Sequence, residues 1–312
     1  MGVHPTSVRG RGQAPRARVT RPLPSRQTIP IVPVNPQLAP VGLSVGATLA
    51  WGFSDFVGGY ASRRANAFLL TTITHVSGTS LMLVLALLLK APFPGKDSLL
   101  WAMAAGLLGG TALAVFYRAM VAGDMGLVAP VGAVLGAAIP TVVDIFIEGV
   151  PSPVRMVGYV LAGAGIWFIS RTEGPAGRPQ GIGLAVVAGI GFAGYFLCIR
   201  HAGSGSVLWI AAASRAVSFV ATGAIVLATR QFRPMDGTGV AWGILAGLLD
   251  VTGSAFFIHA SQTGRLDAAV IISSLYPAIT VLLARFFLQE HFSRWRVVGL
   301  VAALFAVPMI AL

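Results

Sequence analysis

The sequence predicts an all-α polytopic membrane protein, with ten transmembrane helices arranged as two inverted five-helix repeats. Three observations carry this prediction: a composition too apolar for a water-facing surface, apolar runs that alternate with short polar breaks, and one fixed offset that relates the two halves. Of 312 residues, 55% are hydrophobic and only 10% charged. A soluble domain carries about 25% charged residues. The natural solvent of this chain is therefore a bilayer, whose core has no water to satisfy free backbone groups and so favours helices.

The elements follow in order. Residues 1–39 form a basic segment with Arg9, Arg11, Arg16, Arg18, Arg21 and Arg26 among many prolines. Such a stretch buries nothing and is expected to stay disordered; it lacks the apolar core of a signal peptide and suits anionic lipid. The first repeat, 40–172, holds spans near 41–61, 68–90, 98–119, 125–147 and 154–171. The second, 180–312, holds spans near 181–200, 206–229, 238–261, 266–287 and 295–312. Each approaches the ~20 residues that a crossing helix needs. The breaks SRRANA, KAPFPGKDS, GVPSP, RTEGPAGRPQ, RQFRPMDGT and QEHFSR collect charges and prolines, and none is long enough for a soluble domain. The net charge of +12 thus sits in the tail and at span ends. That placement fits topology and headgroup anchoring, not a nucleic-acid surface.

A shift of 141 residues superimposes Gly42, Leu43, Val45 and Ala47 on Gly183, Leu184, Val186 and Ala188. It also carries Gly106, Thr111, Phe116 and Gly123 onto Gly247, Thr252, Phe257 and Gly264, and Arg155, Val157 and Gly158 onto Arg296, Val298 and Gly299. Five spans is an odd number, so the second repeat must enter the membrane upside down. Inverted repeats are a transporter architecture whose site lies near the midplane, where the halves meet. With the termini inside, eleven basic residues of tail and loops face inward and ten outward. The positive-inside rule then puts both termini in the cytoplasm of an inner or plasma membrane, by that margin of one.

WGFSDFVGG in the first span resembles the opening of EamA-like proteins of the drug/metabolite transporter superfamily. FYRAMVAGDMGLVAPVGAVLGAAIP, 116–140, and SLYPAITVLLARFFLQEHFSRWRVVGL, 274–300, resemble the corresponding parts of that family's two repeats. The likeness covers roughly 40–312 and implies a secondary transporter of metabolites, often an exporter. There are departures. The family's Gly-Glu pair after the fourth and ninth spans reads Glu148-Gly149 and Gln289-Glu290 here, so Glu148 stands one position early, which weakens any structural role for it. The basic tail lies outside the family pattern.

A charge at the centre of a membrane helix costs roughly 2.5–3.5 kcal/mol on insertion scales, so intramembrane charges need partners or a wet cavity. Asp55 shares a face with Ser44, Thr48 and Trp51. It is a cavity group, half of a structural ion pair, or a helix-end group near the interface. Arg215 lies mid-span with Ser218 and Thr222. Its planar fork suits a carboxylate or phosphate: it holds an anionic part of the cargo, is neutralised by Asp55 or Asp250, or bridges the halves permanently. Asp250 opens a stripe with Ser254, Phe257 and Ser261; it is a candidate proton carrier, because burial penalises a charged carboxylate. His75 shares a face with Thr71, and either ferries protons or bonds a neighbour. Gly132, Gly136, Pro140, Asp144 and Glu148 recur every four residues along the fourth span, with Asp144 expected at the interface. Pro140 and Pro277 free the carbonyls of Gly136 and Ser273, as helix breaks for gating or as ordinary kinks. Ser273 and Tyr276 flank the second of these and face either cargo or core.

Other motifs mislead. GIGFAG, 189–194, matches dinucleotide-loop spacing but follows no strand, and GLSVG, 42–46, lacks the strand–turn–helix setting of a hydrolase elbow. Cys198, the single cysteine, reads as small apolar filler. No catalytic constellation, metal-ligand pair or cofactor loop is found. The expected function is alternating-access transport of a small polar or amphipathic metabolite, amino-acid-like compounds included, with export favoured and protons as a possible coupling ion. The alternatives are a lipid or drug exporter of the same fold, a non-transporting scaffold or receptor, and an intramembrane enzyme acting on lipid.

Overall fold

The computed structural model describes residues 1–2, 38–62, 65–122, 125–169, 181–230, 235–287 and 293–311. The arginine-rich tail and Gln289-Glu290 lie outside the described residues. Every regular element within them is a helix: α1 (Leu38–Ser62), α2 (Ala67–Leu88), α3 (Lys96–Ala122), α4 (Met125–Glu148), α5 (Pro153–Ile169), α6 (Ile182–Ala202), α7 (Val207–Thr229), α8 (Gly237–Thr263), α9 (Leu266–Ser273), α10 (Tyr276–Phe287) and α11 (Arg294–Ala311). Local chemistry sets several starts. The Asn66 side chain accepts from the amides of Phe68 and Leu69 to cap α2, and Asp236 accepts from Gly239 N to cap α8.

Among the described residues seven segments are long and apolar enough to cross a bilayer: α2, α3, residues 131–148 of α4, α6, α7, α8 and the α9–α10 pair. α5 and α11 supply shorter apolar helices. α1 has the length, 25 residues, but Asp55 and a run of Ser, Thr and Gly dilute its apolar character. The outer faces are greasy: Leu88, Val160 and Leu304 are each more than 70% exposed. Exposure on that scale marks a contact surface, and on helices of this kind the contact is lipid. The chain is a multi-pass membrane protein.

Packing repeats the internal symmetry of the sequence. α1 packs along α8, and α6 along α3; α2 packs on α8, and α7 on α3. α1 also meets α9 and α10, as α6 meets α4. The remaining large contacts, α2 with α7, α4 with α9 and α5 with α11, map onto themselves when the halves are exchanged. The 141-residue offset holds for α3 and α8, whereas α2 and α7 are related by 140. Ser218 Oγ donates to Gly106 O at 2.7 Å, and Gly78, 140 residues before Ser218, faces Gly247 O.

These crossings are tight because small residues let backbones meet. A Cβ on Gly106 would overlap the carbonyl oxygen of Ser214, and one on Gly247 would overlap that of Thr74. The two glycines occupy equivalent positions in the halves, so the same contact is built twice.

The ninth predicted span differs from the others: it is two half-helices, α9 and α10, parted at Ser274 and Leu275. Pro277 has no amide to give and disfavours helical geometry in the residue before it. Hydroxyl groups of α1 tie the break down. Thr48 Oγ1 lies 2.7 Å from Ile272 O, and Thr280 Oγ1 donates to Gly52 O at 3.1 Å. Pro140, by contrast, causes no break: α4 runs through it as one helix.

The crossings predict a graded response to substitution. Gly106→Ala and Gly247→Ala should each lower the melting temperature of the full chain in detergent, at an overpacking cost of about 1–3 kcal/mol. Gly42→Ala and Gly163→Ala, where an added Cβ meets nothing within 4 Å, should leave it unchanged or raise it slightly.

Candidate functional site

A cavity of about 550 Å³, its open mouth included, lies where the two halves meet. Residues of α1, α3 and α4 from the first half and of α6, α7, α8 and the α9–α10 junction from the second line it. Of the residues singled out in the sequence, Trp51, Asp55, Arg215, Asp250 and Tyr276 line it. Ser254 stands behind Arg215. Ser273 is buried with no partner for its hydroxyl, and its neighbour Ser274 takes the lining position. His75 is fully buried outside the lining; neither ring nitrogen has a hydrogen-bond partner, although the Gly110 backbone is nearby. Pro140 and Pro277 are buried and do not line the cavity.

Arg215 is held on three sides. Its Nε lies 2.9 Å from Asp250 Oδ2, an ion pair at an angle that falls short of a hydrogen bond. Its Nη2 donates to Asp250 Oδ1 at 3.2 Å and to Ser254 Oγ. Its guanidinium carbon lies 5.7 Å from the centre of the Tyr195 ring, within cation–π range. Arg215 is 5% exposed and Asp250 6%. Trp51 Nε1 donates to Asp250 O at 3.1 Å and so ties α1 to the same turn of α8.

Asp55 is 7% exposed, and among the described residues no hydrogen bond or ion pair reaches its carboxylate. Arg215 pairs with Asp250 instead. Ser54, the residue before Asp55, spends its hydroxyl on Ala246 O at 2.8 Å. The ionisable side chains that feel the charge of Asp55 or act on it are Asp250, Tyr117 and Tyr276.

The sequence reading missed the aromatic wall. Phe192, Tyr195 and Phe196 of α6 line the cavity. Trp51, Phe196 and Phe257 form a cluster with ring centres 4.8–6.0 Å apart. The signal was present: the same 141-residue shift carries Trp51, Ser54 and Asp55 onto Phe192, Tyr195 and Phe196. A search for polar residues passes over that stripe because its second copy is aromatic. The 140-residue shift of α7 makes His75 the counterpart of Arg215, and 141 makes Gly109 the counterpart of Asp250. The central ion pair is therefore present in one copy only.

A second polar cluster closes one end of the bundle, where α4, α6 and α8 finish and α9 begins. Arg200 pairs with Asp144 and, at 2.8 Å, with Glu148. Arg265 reaches Glu148 at 3.9 Å and grips both oxygens of Asp267 at 2.9 and 3.1 Å. Those bonds hold the Arg265 guanidinium above its ordinary pKa. Asp144 Oδ2 accepts from the Asp267 amide at 2.9 Å, at the N-terminus of α9, where a negative charge also meets the positive end of the helix dipole. Two expectations change. Asp144 is near a helix end but fully buried, and Glu148, despite its displaced position, bridges two arginines.

With fold and cavity in place, comparison with known proteins settles the class. The profile of the EamA-like transporter family matches residues 39–171 and again 179–312. The chain belongs to that family. The EamA-like fold also appears in a solved structure described simply as the crystal structure of a protein, which aligns with a TM-score of 0.68 at 15% identity. That alignment covers 86% of this EamA-like chain and 95% of the other, and it speaks to fold alone. No curated protein sequence matches the chain. Members of the EamA-like family are transporters, not enzymes.

The central pair makes a testable statement about stability. Arg215→Met should destabilise the full chain strongly, by about 3–5 kcal/mol, because it strands a buried carboxylate. Arg215→Met combined with Asp250→Leu should recover most of that loss. Melting curves of the wild type, both single variants and the double variant give the coupling directly.

Proposed function

We propose that this EamA-like protein is a secondary transporter that carries a small polar or amphipathic metabolite through the central cavity by alternating access, in the direction of export. The observation that carries the reading is the cavity itself. It sits between the two pseudo-symmetric halves and is lined from both by ionisable and aromatic side chains, where inverted-repeat transporters keep their sites. On this reading α1, α5 and α11 cross the bilayer with the seven longer spans. That makes ten crossings, five per half, with oppositely inserted repeats and both termini in the cytoplasm of the inner membrane.

Alternation would rock one half against the other, opening the two ends of the bundle in turn. The end closed by Asp144, Glu148, Arg200, Arg265 and Asp267 is then the guarded gate, with the Trp51–Phe196–Phe257 cluster between it and the cavity. At the other end the same 141-residue shift sets Gly59 and Gly126 where Arg200 and Asp267 stand, and it exchanges the sign of two other members, with Arg285 in the place of Asp144 and Asp124 in the place of Arg265. Opening the guarded gate must separate α4 from α6 and α9, which breaks the Arg200–Asp144 pair and the Asp144–Asp267 contact together. The broken helix at Ser274 supports the same motion, because α9 can swing about the junction with fewer backbone bonds lost than a continuous helix would lose.

Two measurements test the proposal. Metabolite profiling of cells with and without the protein should show a compound that accumulates outside when the protein is present, and purified protein in proteoliposomes should move that compound. A protein that moves none of the profiled compounds across liposomes counts against transport. The gate has its own readout, since Cys198 is the only cysteine and is buried. In a Cys198→Ser background, Ala269→Cys on α9 should react slowly with an impermeant maleimide. Adding Asp144→Asn should speed that labelling several-fold.

A further inference from the structure

The charges of the cavity do not balance, and the imbalance has a consequence for the cargo. Three ionisable side chains with formal charge line it: Asp55, Asp250 and Arg215. Arg215 is committed to Asp250 and Ser254, with Tyr195 against its face. Asp55 is left facing the cavity without a hydrogen bond or ion pair among the described residues, although it is more than nine-tenths buried. From the elements packed around it, the groups that face it are Asp250 on α8, Tyr117 on α3 and Tyr276 on α10. None of these brings a positive charge.

Resting on the transport reading, we infer that Asp55 is the attachment point for the ammonium group of an organic cation, with the aromatic wall taking the apolar body of the cargo. A carboxylate and a cation that pair in a low-dielectric cavity are screened less than they would be in water, and the pairing offsets the cost of burying either charge alone. An ammonium group donates charge-assisted hydrogen bonds to it, and π faces add their own attraction for positive charge. Trp51, one turn before Asp55, and Phe192, Phe196 and Tyr276 supply those faces. An anionic cargo meets the opposite situation. The one cationic side chain among the described residues that line the cavity, Arg215, is already paired, so binding would require Asp250 to be displaced and left buried without a counter-charge. A zwitterion gains at Asp55 and loses at its own carboxylate. The order of preference is thus amine, then zwitterion, then acid.

Three probes of one shape separate these cases: 2-phenylethylammonium, phenylalanine and 3-phenylpropionate. Equilibrium dialysis of the radiolabelled probes against the purified full chain should show the amine bound most tightly and the acid least. Asp55→Asn should weaken the amine by about tenfold or more, as for the loss of one charge-assisted contact, and leave 3-phenylpropionate unchanged or improved. Asp55→Glu should retain the amine preference. An acid bound as well as the amine by the wild type, or an amine affinity indifferent to Asp55→Asn, overturns the assignment. Because the first comparison uses only the wild-type chain, a misfolded variant does not decide the matter. Proteoliposomes separate this inference from the reading beneath it: protein that carries phenylpropionate but not the amine is still a transporter, with the wrong charge assigned to its cargo.

Discussion

A guanidinium at the middle of a membrane helix cannot shed its proton or reach water, so the fold has to supply its counter-charge. Arg215 on α7 meets this constraint with Asp250 and Ser254 on α8 and the ring of Tyr195 on α6. The pair joins two helices of one half, and Trp51 of the other half bonds the backbone of Asp250. The ion pair, the aromatic wall and the seam between the halves therefore share one turn of α8. Moving any of them changes the dielectric surroundings of the others, so the centre of the molecule behaves as a unit.

The periphery of that unit is made of close backbone approaches. Gly106 against α7 and Gly247 against α2 are the same device used twice. In lipid there is little hydrophobic gain in pressing helices together, so van der Waals fit and hydrogen bonds between helices must carry association. Side-chain hydroxyls that reach across to carbonyls, as Ser218 does to Gly106 and Ser54 to Ala246, contribute where water cannot. Polar residues are spread through these helices for both reasons, and a count of polar groups alone does not distinguish a binding site from a seam.

This explains how far the sequence could be read. Helix positions, the internal repeat and the break before Pro277 were legible because apolar run length, a fixed offset and the missing proline amide are local facts. Asp55, Arg215 and Asp250 stood out as charges at membrane depth, and they do line one cavity. Their pairing was not legible: Asp55 and Asp250 were equally available to Arg215 until the packing of α7 on α8 chose between them. Pro140 shows the converse limit. A missing amide frees a carbonyl without forcing a break, and α4 continues through Pro140 as one helix. The Asp144–Glu148–Arg200–Arg265–Asp267 network was hidden for another reason. Its members lie on three stretches far apart in sequence, and each alone reads as an ordinary charge at a helix end.

The two polar clusters differ in what symmetry does to them. Exchange of the halves maps the packing of the helices onto itself, but it maps Arg215 onto His75, Asp250 onto Gly109 and Arg200 onto Gly59. A scaffold of two equal halves would give gates of equal strength and a cavity without polarity. Here the scaffold stays symmetric while the charges do not. Among the described residues the Asp144–Glu148–Arg200–Arg265–Asp267 network belongs to one end, and the unpaired carboxylate sits on α1. The two copies share one packing scheme, and the residues that broke their equivalence are the ones that give the cavity its charge.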